Sequence, residues 1–301
     1  MNAITTAIGH HQDVTPGEVA LVSEPLTGNN LSIGPGFDAC SFRAQDIGEA
    51  MDPLVMVDHY VMTQPTFGAH PHAGMSAVSL LLEDSEGLFH NQDSLGNDFD
   101  LRPGDLYWLS AGRGAVHDES PRVNARTHGL QVFVNVPQID RFAEPSSLLV
   151  RSEEMPVINT VDCSVKVALG ESNGVRGAVS PSTQMNILVG SIQPGGSFQH
   201  GSIGNRGIWV QSMKGVLEVA VAENTRHLPL GQAVAAKTSR SEEINITNRS
   251  SEPVHFVLFD GARIAETYVQ DGPFVMGTEE QIADIKAAYE AGELGSLAGN
   301  Y

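Results

Sequence analysis

Two short motifs constrain this chain more than any other feature: His70-Pro71-His72 and His117-Asp118-Glu119. Each carries two potential metal-binding side chains at i and i+2. On a β-strand that spacing puts both side chains on one face. Pro71 also fixes one φ between its two histidines. If both pairs serve one site, two strands must face each other across a small barrel. Three imidazoles and one carboxylate then meet at one point.

The rest of the chain reads as strands. Residues 54–62 form a β-branched, apolar run closed by Gln64-Pro65, which fits a buried strand. Residues 77–82 and 129–137 read the same way, with Pro137 ending the second. Residues 106–109 follow the Pro103-Gly104-Asp105 turn, and Asp93-Ser94-Leu95-Gly96-Asn97 is a turn by composition. Strands at this spacing indicate a sandwich or barrel, and the 31 glycines suit a turn-rich β protein. Residues 138–156 are polar and read as a crossing segment. Beyond it, residues 165–169, 185–189, 207–211, 216–221, 243–248 and 254–259 repeat the same rhythm, so a duplicated barrel is expected.

Only the C-terminus reads as helical. Thr278-Glu279-Glu280-Gln281 has the form of a capping box. Ile282, Ile285, Ala288 and Tyr289 then make one apolar stripe, and Gly292 is the stop.

The formal charge of −19 argues against direct contact with nucleic acid or an anionic membrane surface. No apolar stretch reaches the length of a membrane span. Residues 1–17 lack a basic region followed by an apolar run, so no signal peptide is expected. Cys40 and Cys163 offer neither a disulfide framework nor zinc-ribbon spacing. Two reduced thiols in a cytoplasmic protein are the expectation.

Three imidazoles and a monodentate carboxylate leave two positions of an octahedron open. Such a donor set suits Fe(II), Mn(II), Ni(II) or Cu(II) better than a closed structural zinc site. Open positions imply a ligand or substrate.

The motifs resemble those of the pirin family, metal-binding proteins with two cupin domains. His70-Pro71-His72 matches its HPH, and Pro103-Gly104-Asp105-Leu106-Tyr107-Trp108 its PGDxxW. Residues 110–119 match its (T/S)AGRGxxHxE. Gly272-Pro273-Phe274-Val275-Met276, followed by Thr278-Glu279-Glu280, matches a C-terminal signature. The resemblance implies an all-β fold of two tandem cupin barrels (double-stranded β-helix, jelly-roll) with a short C-terminal helix. Residues 1–147 would form the metal-binding barrel, and residues 148–301 a metal-free barrel plus the helix. It implies His70, His72, His117 and Glu119 as ligands of one divalent transition metal. Iron(II) is the first expectation, with Ni, Mn, Cu or Zn as alternatives.

Some members of the family resemble quercetin 2,3-dioxygenases, which open a flavonol ring with O₂ and release carbon monoxide. There the group at the position of Glu119 is thought to take the substrate hydroxyl proton as well as bind the metal, so Glu119 is the catalytic candidate. Other members are regulators that bind a transcription factor or a metabolic enzyme. Both readings stay open: an oxidoreductase acting on a small aromatic substrate, or a redox-sensing, metal-dependent regulator with a protein partner. A monomer is expected, because two barrels can cover each other's faces.

The chain departs from the family after HPH. Ala73-Gly74-Met75-Ser76-Ala77 stands where Arg-Gly-Phe-Glu-Thr is usual. These changes are expected to remove a charge pair beside the ligands. Ser76 is also where ordinary cupins place a metal-binding Glu. In the second half, residues 195–202 hold only His200 as a good ligand. His255 reads as a core histidine. His59 and His128 are candidates for positions behind the ligands or in the pocket, and His90 and His227 carry no assigned role. Trp108 and Phe133 read as core.

Overall fold

The structure, a computed structural model, describes residues 20–297. Among them, two pairs of antiparallel sheets form two barrels of matching topology. In the first, a seven-stranded sheet runs in the spatial order Ser146–Val150, Leu106–Ser110, Met75–Leu81, Thr127–Asn135, Leu54–Met62, Phe37–Arg43, Asn29–Ile33. It faces a four-stranded sheet ordered His70–His72, Ala115–Pro121, Phe89–Asp93, Asp98–Leu101.

The second barrel repeats this order with Ala20–Val22, Ala233–Thr238, Arg206–Lys214, Val254–Ala262, Met185–Ile192, Cys163–Leu169, Val157–Asn159. Its smaller sheet runs Ser197–Ser202, Glu242–Thr247, Leu217–Val221, Asn224–Leu228. The duplicated rhythm of the sequence is therefore a duplicated fold, the two-barrel cupin architecture.

The halves exchange their outer strands. Ala20–Val22 pairs with Ala233–Thr238 in the second barrel. Ser146–Val150 pairs with Leu106–Ser110 in the first. The segment read as a polar crossing thus contains a strand, and the expected boundary between residues 147 and 148 falls inside it. Leu148 and Leu149 are only half-buried there, as suits an edge strand, and the apolar run is only three residues, Leu148-Leu149-Val150, shorter than those of the central strands.

The two large sheets pack face to face. Phe42, Val57, Trp108, Val132, Trp209 and Phe259 belong to one buried cluster that joins the halves. The Phe42 and Trp209 rings meet edge to face at 5.0 Å, the arrangement ring quadrupoles favour. This interface uses one face of each sheet, so alternation sends the intervening side chains into the barrels. In Leu54–Met62, Val57 joins the interface cluster, whereas Met56, Asp58, Tyr60 and Met62 line a cavity inside the first barrel.

The second barrel is filled instead. Val167, Leu188, Phe198, Leu217, Ile244, Phe256 and Leu258 pack together in it. His200 is buried at its end: Nδ1 lies 2.9 Å from Ser172 Oγ and Nε2 3.0 Å from Asp260 Oδ2. Arg206 Nε donates to Asp260 Oδ1 at 2.7 Å, and Asn186 Nδ2 to Oδ2 at 2.9 Å.

The C-terminal helix Glu279–Glu290 starts where the sequence placed it. Thr278 Oγ1 accepts from the Gln281 amide at 3.2 Å. Gln281 Oε1 reaches back to the amide of Gly277, one residue earlier than a capping box requires. Ile282 and Ile285 pack with Ala73, Val116, Phe274 and Met276, so the helix sits on the first barrel, against both metal motifs. Ahead of it, the amide of Val275 donates to Ala73 O at 3.0 Å. Gly74 makes that approach fit. Its φ is +70°, and a Cβ there would stand 2.0 Å from Val275 O.

Two outcomes follow from this packing. Gly74→Ala lowers stability by more than about 1 kcal/mol, because an L side chain is strained at positive φ and collides with the backbone of residue 275. Thermal unfolding reads the loss, and faster hydrogen exchange at the Val275 amide locates it. Asp260→Asn costs about 3–5 kcal/mol in denaturant unfolding, because it leaves Arg206 buried without its counter-charge. Burial alone raises the Asp260 carboxyl, but hydrogen bonds and charge from His200 and Arg206 outweigh it and hold the pKa below the ordinary value of 3.8. On acidification the unfolded chain therefore takes up this proton first. The contribution of Asp260 is complete above about pH 4 and is lost as the pH falls through the folded value. The variant accordingly has a flatter stability profile below pH 4.

Candidate metal centre

The site arises from one strand pairing. His70–His72 runs antiparallel to Ala115–Pro121, with His117 opposite His70 and Ala115 opposite His72. Opposed residues share a face, and so do residues two apart. His70, His72 and His117 are therefore forced onto the same side. Their Nε2 atoms converge: His72 to His117 is 2.9 Å, and His117 to His70 is 3.0 Å. Among the described residues, only these three form a group of His, Cys, Asp or Glu donors whose ligand atoms all lie within 4.8 Å of one another.

The donor set fits a metal ion. Metal–imidazole bonds of about 2.0–2.1 Å put adjacent nitrogens of an octahedron about 2.8–3.0 Å apart, and those of a tetrahedron about 3.3–3.4 Å. The His72–His117 and His117–His70 separations match the octahedral edge. His70 Nδ1 lies 2.8 Å from Gly68 O. A carbonyl only accepts, so Nδ1 carries the proton and Nε2 presents its lone pair to the cluster. Burial lowers the pKa of all three histidines, and neighbouring imidazoles add to the effect at His72 and His117. The neutral imidazole is the form that binds metal.

Glu119 lies just outside this group. Its Oε1 accepts from Ser79 Oγ at 2.6 Å. Its Oε2 lies 3.9 Å from His117 Nδ1. Burial pushes its pKa up to about 7, against the hydrogen bond from Ser79, with the Asp118 and Asp93 charges adding to the rise.

His70, His72 and Glu119 open onto a cavity of about 460 Å³. Phe37, Tyr60, Phe67, Phe89 and Phe133 give it aromatic walls, and Gln131 adds a polar group. Pro273, from the C-terminal segment, closes one side. The other lining carboxylate, Asp58, is tied to Arg43 at 2.5 Å.

Several expectations from the sequence change here. Ser76 does not face the histidines. Its hydroxyl lies 2.8 Å from Ser182 Oγ and 3.3 Å from Ser110 Oγ. Alternation along Met75–Leu81 turns Ser79 toward Glu119 and Ser76 toward the second barrel. Ala73, at the family's Arg position, lies in the apolar cluster beneath the C-terminal helix.

Trp108 is core, as expected, but Phe133 stands edge-on to His72 at 5.1 Å and lines the cavity. Its i, i+2 relation to Gln131 was the available signal. His255 is exposed rather than in the core, because its flanking residues, not it, face inward. His90 bonds Asp98 at 2.8 Å near the surface, and His227 is exposed. His59 and His128 point away from the cavity and toward each other. Asp93, read from the sequence as part of a turn, also braces the site. It accepts from the Tyr107 hydroxyl and from the amides of Leu95 and Asn97, so it fixes the turn beside the site.

Comparison with known proteins agrees with this architecture. Residues 38–134 match the Pirin family, and residues 187–295 match the Pirin C-terminal cupin domain. A pirin-like protein from Solanum lycopersicum is 32% identical over 252 residues, covering 81% of this chain and 82% of its own. A Pseudomonas aeruginosa protein provisionally named quercetin 2,3-dioxygenase is 27% identical, over 91% of this chain and 97% of its own. The fold also matches a crystal structure of quercetin 2,3-dioxygenase from Acinetobacter baumannii. Its TM-score is 0.80 at 21% identity, covering 92% of this chain and 99% of that one. With both cupin halves matched and the three histidines gathered inside the first barrel, the chain belongs to the pirin family.

Proposed function

We propose that His70, His72, His117 and Glu119 hold one divalent transition metal, with iron(II) the first choice, and that the protein is a dioxygenase cleaving quercetin or a related flavonol. The observation that carries this reading is a three-imidazole cluster opening onto an aromatic-walled cavity that also contains a buried carboxylate. A cavity of about 460 Å³ is within the usual range for a small organic ligand. When bound, the metal supplies the redox chemistry that lets a closed-shell aromatic substrate react with dioxygen.

The chain's own groups bind, orient and move a proton. Phe37, Phe67, Phe89 and Phe133 sandwich a flat ring system and exclude water. Gln131, whose side-chain amide lies 3.0 Å from Ser79 Oγ, offers that amide to a ring hydroxyl. Glu119 is the base, since Asp58 is engaged by Arg43. Its Oε1 is held by Ser79, so Oε2 takes the substrate's hydroxyl proton as the enolate forms. The name of the Pseudomonas aeruginosa relative agrees with this chemistry.

The test is oxygen uptake and carbon monoxide release with quercetin, on protein reconstituted separately with Fe(II), Ni(II), Mn(II), Cu(II) and Zn(II). At least one metal supports turnover. His117→Ala loses both activity and that equivalent of metal, and Glu119→Gln lowers kcat by about 10²–10⁴-fold. Metal-replete protein that turns over nothing across a flavonoid panel sinks the substrate assignment.

A second reading is a metal-dependent regulator that binds a transcription factor or metabolic enzyme. It is favoured by the bond from the Val275 amide to Ala73 O, which ties the C-terminal segment to the residue after His72. Affinity capture with the protein held in the ferrous and then the ferric state decides it. Recovery of the same partner, or of none, in both states eliminates this reading.

A further inference from the structure

Away from the histidines and Glu119, the inner cavity carries one pair of opposite charges. Arg43 and Asp58 stand among Leu31, Ile33, Met56 and Met62 on its wall. Arg43 Nη1 donates to Asp58 Oδ1 at 2.5 Å, and Nη2 to Oδ2 at 3.3 Å. The pair is not sealed off, since the Arg43 side chain is 24% exposed and that of Asp58 8%. Desolvation offsets much of the attraction in such a pair, so stability alone does not account for charges on a cavity wall.

The strand register fixes where the pair lies. Asp58 is opposite Gln131, and Gln131 is opposite Ser79. Opposed residues share a face, so Asp58, Gln131 and Ser79 form one polar row across the inner wall. The row ends on one side at Glu119, which accepts from Ser79 Oγ at 2.6 Å. It ends on the other at Asp58, two strand spacings away, about 9–10 Å. A flat molecule held on this wall by the phenylalanines has Glu119 at one end and the charge pair at the other.

The pair offers a specific chemistry. Arg43 gives three of its five N–H groups to Asp58 and to Phe42 O, which leaves two, and each Asp58 oxygen keeps lone-pair capacity. Donors and an acceptor side by side match a hydroxyl, which donates and accepts at once. Asp58 repels a carboxylate there, and Arg43 repels an ammonium. A methoxy group accepts but has no hydrogen to give Asp58.

We propose that Arg43 and Asp58 determine specificity: they bind a hydroxyl at the end of the substrate remote from Glu119. The cavity thus selects neutral polyphenols hydroxylated on an outer ring over unsubstituted or O-methylated ones. The assignment rests on the flavonol reading of this cavity and adds which flavonols it takes. Asp58 stays an anion that accepts a hydrogen bond, and the proton that moves is the one Glu119 takes.

Isothermal titration calorimetry of the full-length protein under argon reads binding without turnover. The probes are quercetin, 3-hydroxyflavone, which has no outer-ring hydroxyl, and quercetin O-methylated at every outer-ring hydroxyl. Wild type binds quercetin at least tenfold more tightly than either analogue, the effect of one charge-assisted hydrogen bond. Asp58→Ala abolishes that ratio. So does Arg43→Met combined with Asp58→Leu, which leaves no charge unpaired and guards against misfolding of the single variant. A pair that only braced the strands would lower the melting temperature and weaken all three compounds alike.

Equal wild-type affinities, no binding of any probe, a ratio kept in both variants, or uniform weakening overturns the proposal. Oxygen uptake on the same proteins separates it from the dioxygenase reading. A quercetin preference that the variants lose, with no turnover under any metal, sustains the specificity pair and sinks the dioxygenase. Turnover of all three compounds at equal kcat/KM does the reverse.

Discussion

Everything at the inner site depends on the pairing of His70–His72 with Ala115–Pro121. The register sets His117 opposite His70, and that single fact turns three separate imidazoles into one cluster. A slip of one residue would send His117 to the other face of the sheet. Several constraints prevent it. Pro71 cannot donate to a ladder. Ser94 Oγ accepts from the Val116 amide at 3.0 Å. The C-terminal helix packs on Val116 and Ala73 together. The last part of the chain thus stabilises a geometry made by its first half.

The two barrels share a topology and resolve their interiors in opposite ways. In the second, the one histidine placed like a ligand is satisfied by Ser172 and Asp260, and Arg206 supplies the positive charge that Asp260 needs. The interior is electrically closed and its remaining volume is filled with side chains. In the first, three imidazoles face one another, two of them fully buried, and among the described residues no lysine or arginine is bonded to Glu119. Burial disfavours its anion. A cation at the cluster would relieve the crowded nitrogen lone pairs and favour the carboxylate form at once. Duplication thus left one barrel as a scaffold with an internal ion pair and the other as a chamber whose polar groups call for an ion.

Much of this was legible in the sequence, for identifiable reasons. Strand positions follow apolar runs and turn residues, so residues 54–62 and 106–109 were placed correctly. The three histidines follow from period-two spacing, because a strand leaves no other place for their side chains. What escaped was mostly a question of which face looks where. Ser76 and Ser79 are three apart and so on opposite faces, but only the sheet's packing partner says which one meets Glu119. Phe133 looks like core until the barrel is known to be hollow. His255 sits in an apolar strand yet alternates outward. The edge strand at residues 146–150 offers only the short run Leu148-Leu149-Val150 after two serines, inside an otherwise polar stretch. The distance from Glu119 to the histidines depends on a side-chain rotation that no sequence spacing encodes.

The same alternation allows two chemistries to share one wall. Along Leu54–Met62, Asp58 and Tyr60 face the cavity while His59, between them, faces the outer cleft. Adjacent residues on a strand see opposite environments, so the His59–His128 contact leaves the lining of the inner pocket unchanged. The backbone does not separate them mechanically, however. His59 pairs with Leu130, and Asp58 pairs with Gln131, which lines the cavity. The contact between His59 and His128 braces the same pair of strands that carries Gln131 and Phe133 on its inner side. Any influence of the outer cleft on the inner site would then act through the rigidity of two hydrogen-bonded strands rather than through a side-chain relay, and would affect the placement of a substrate before it affected the binding of the inner metal.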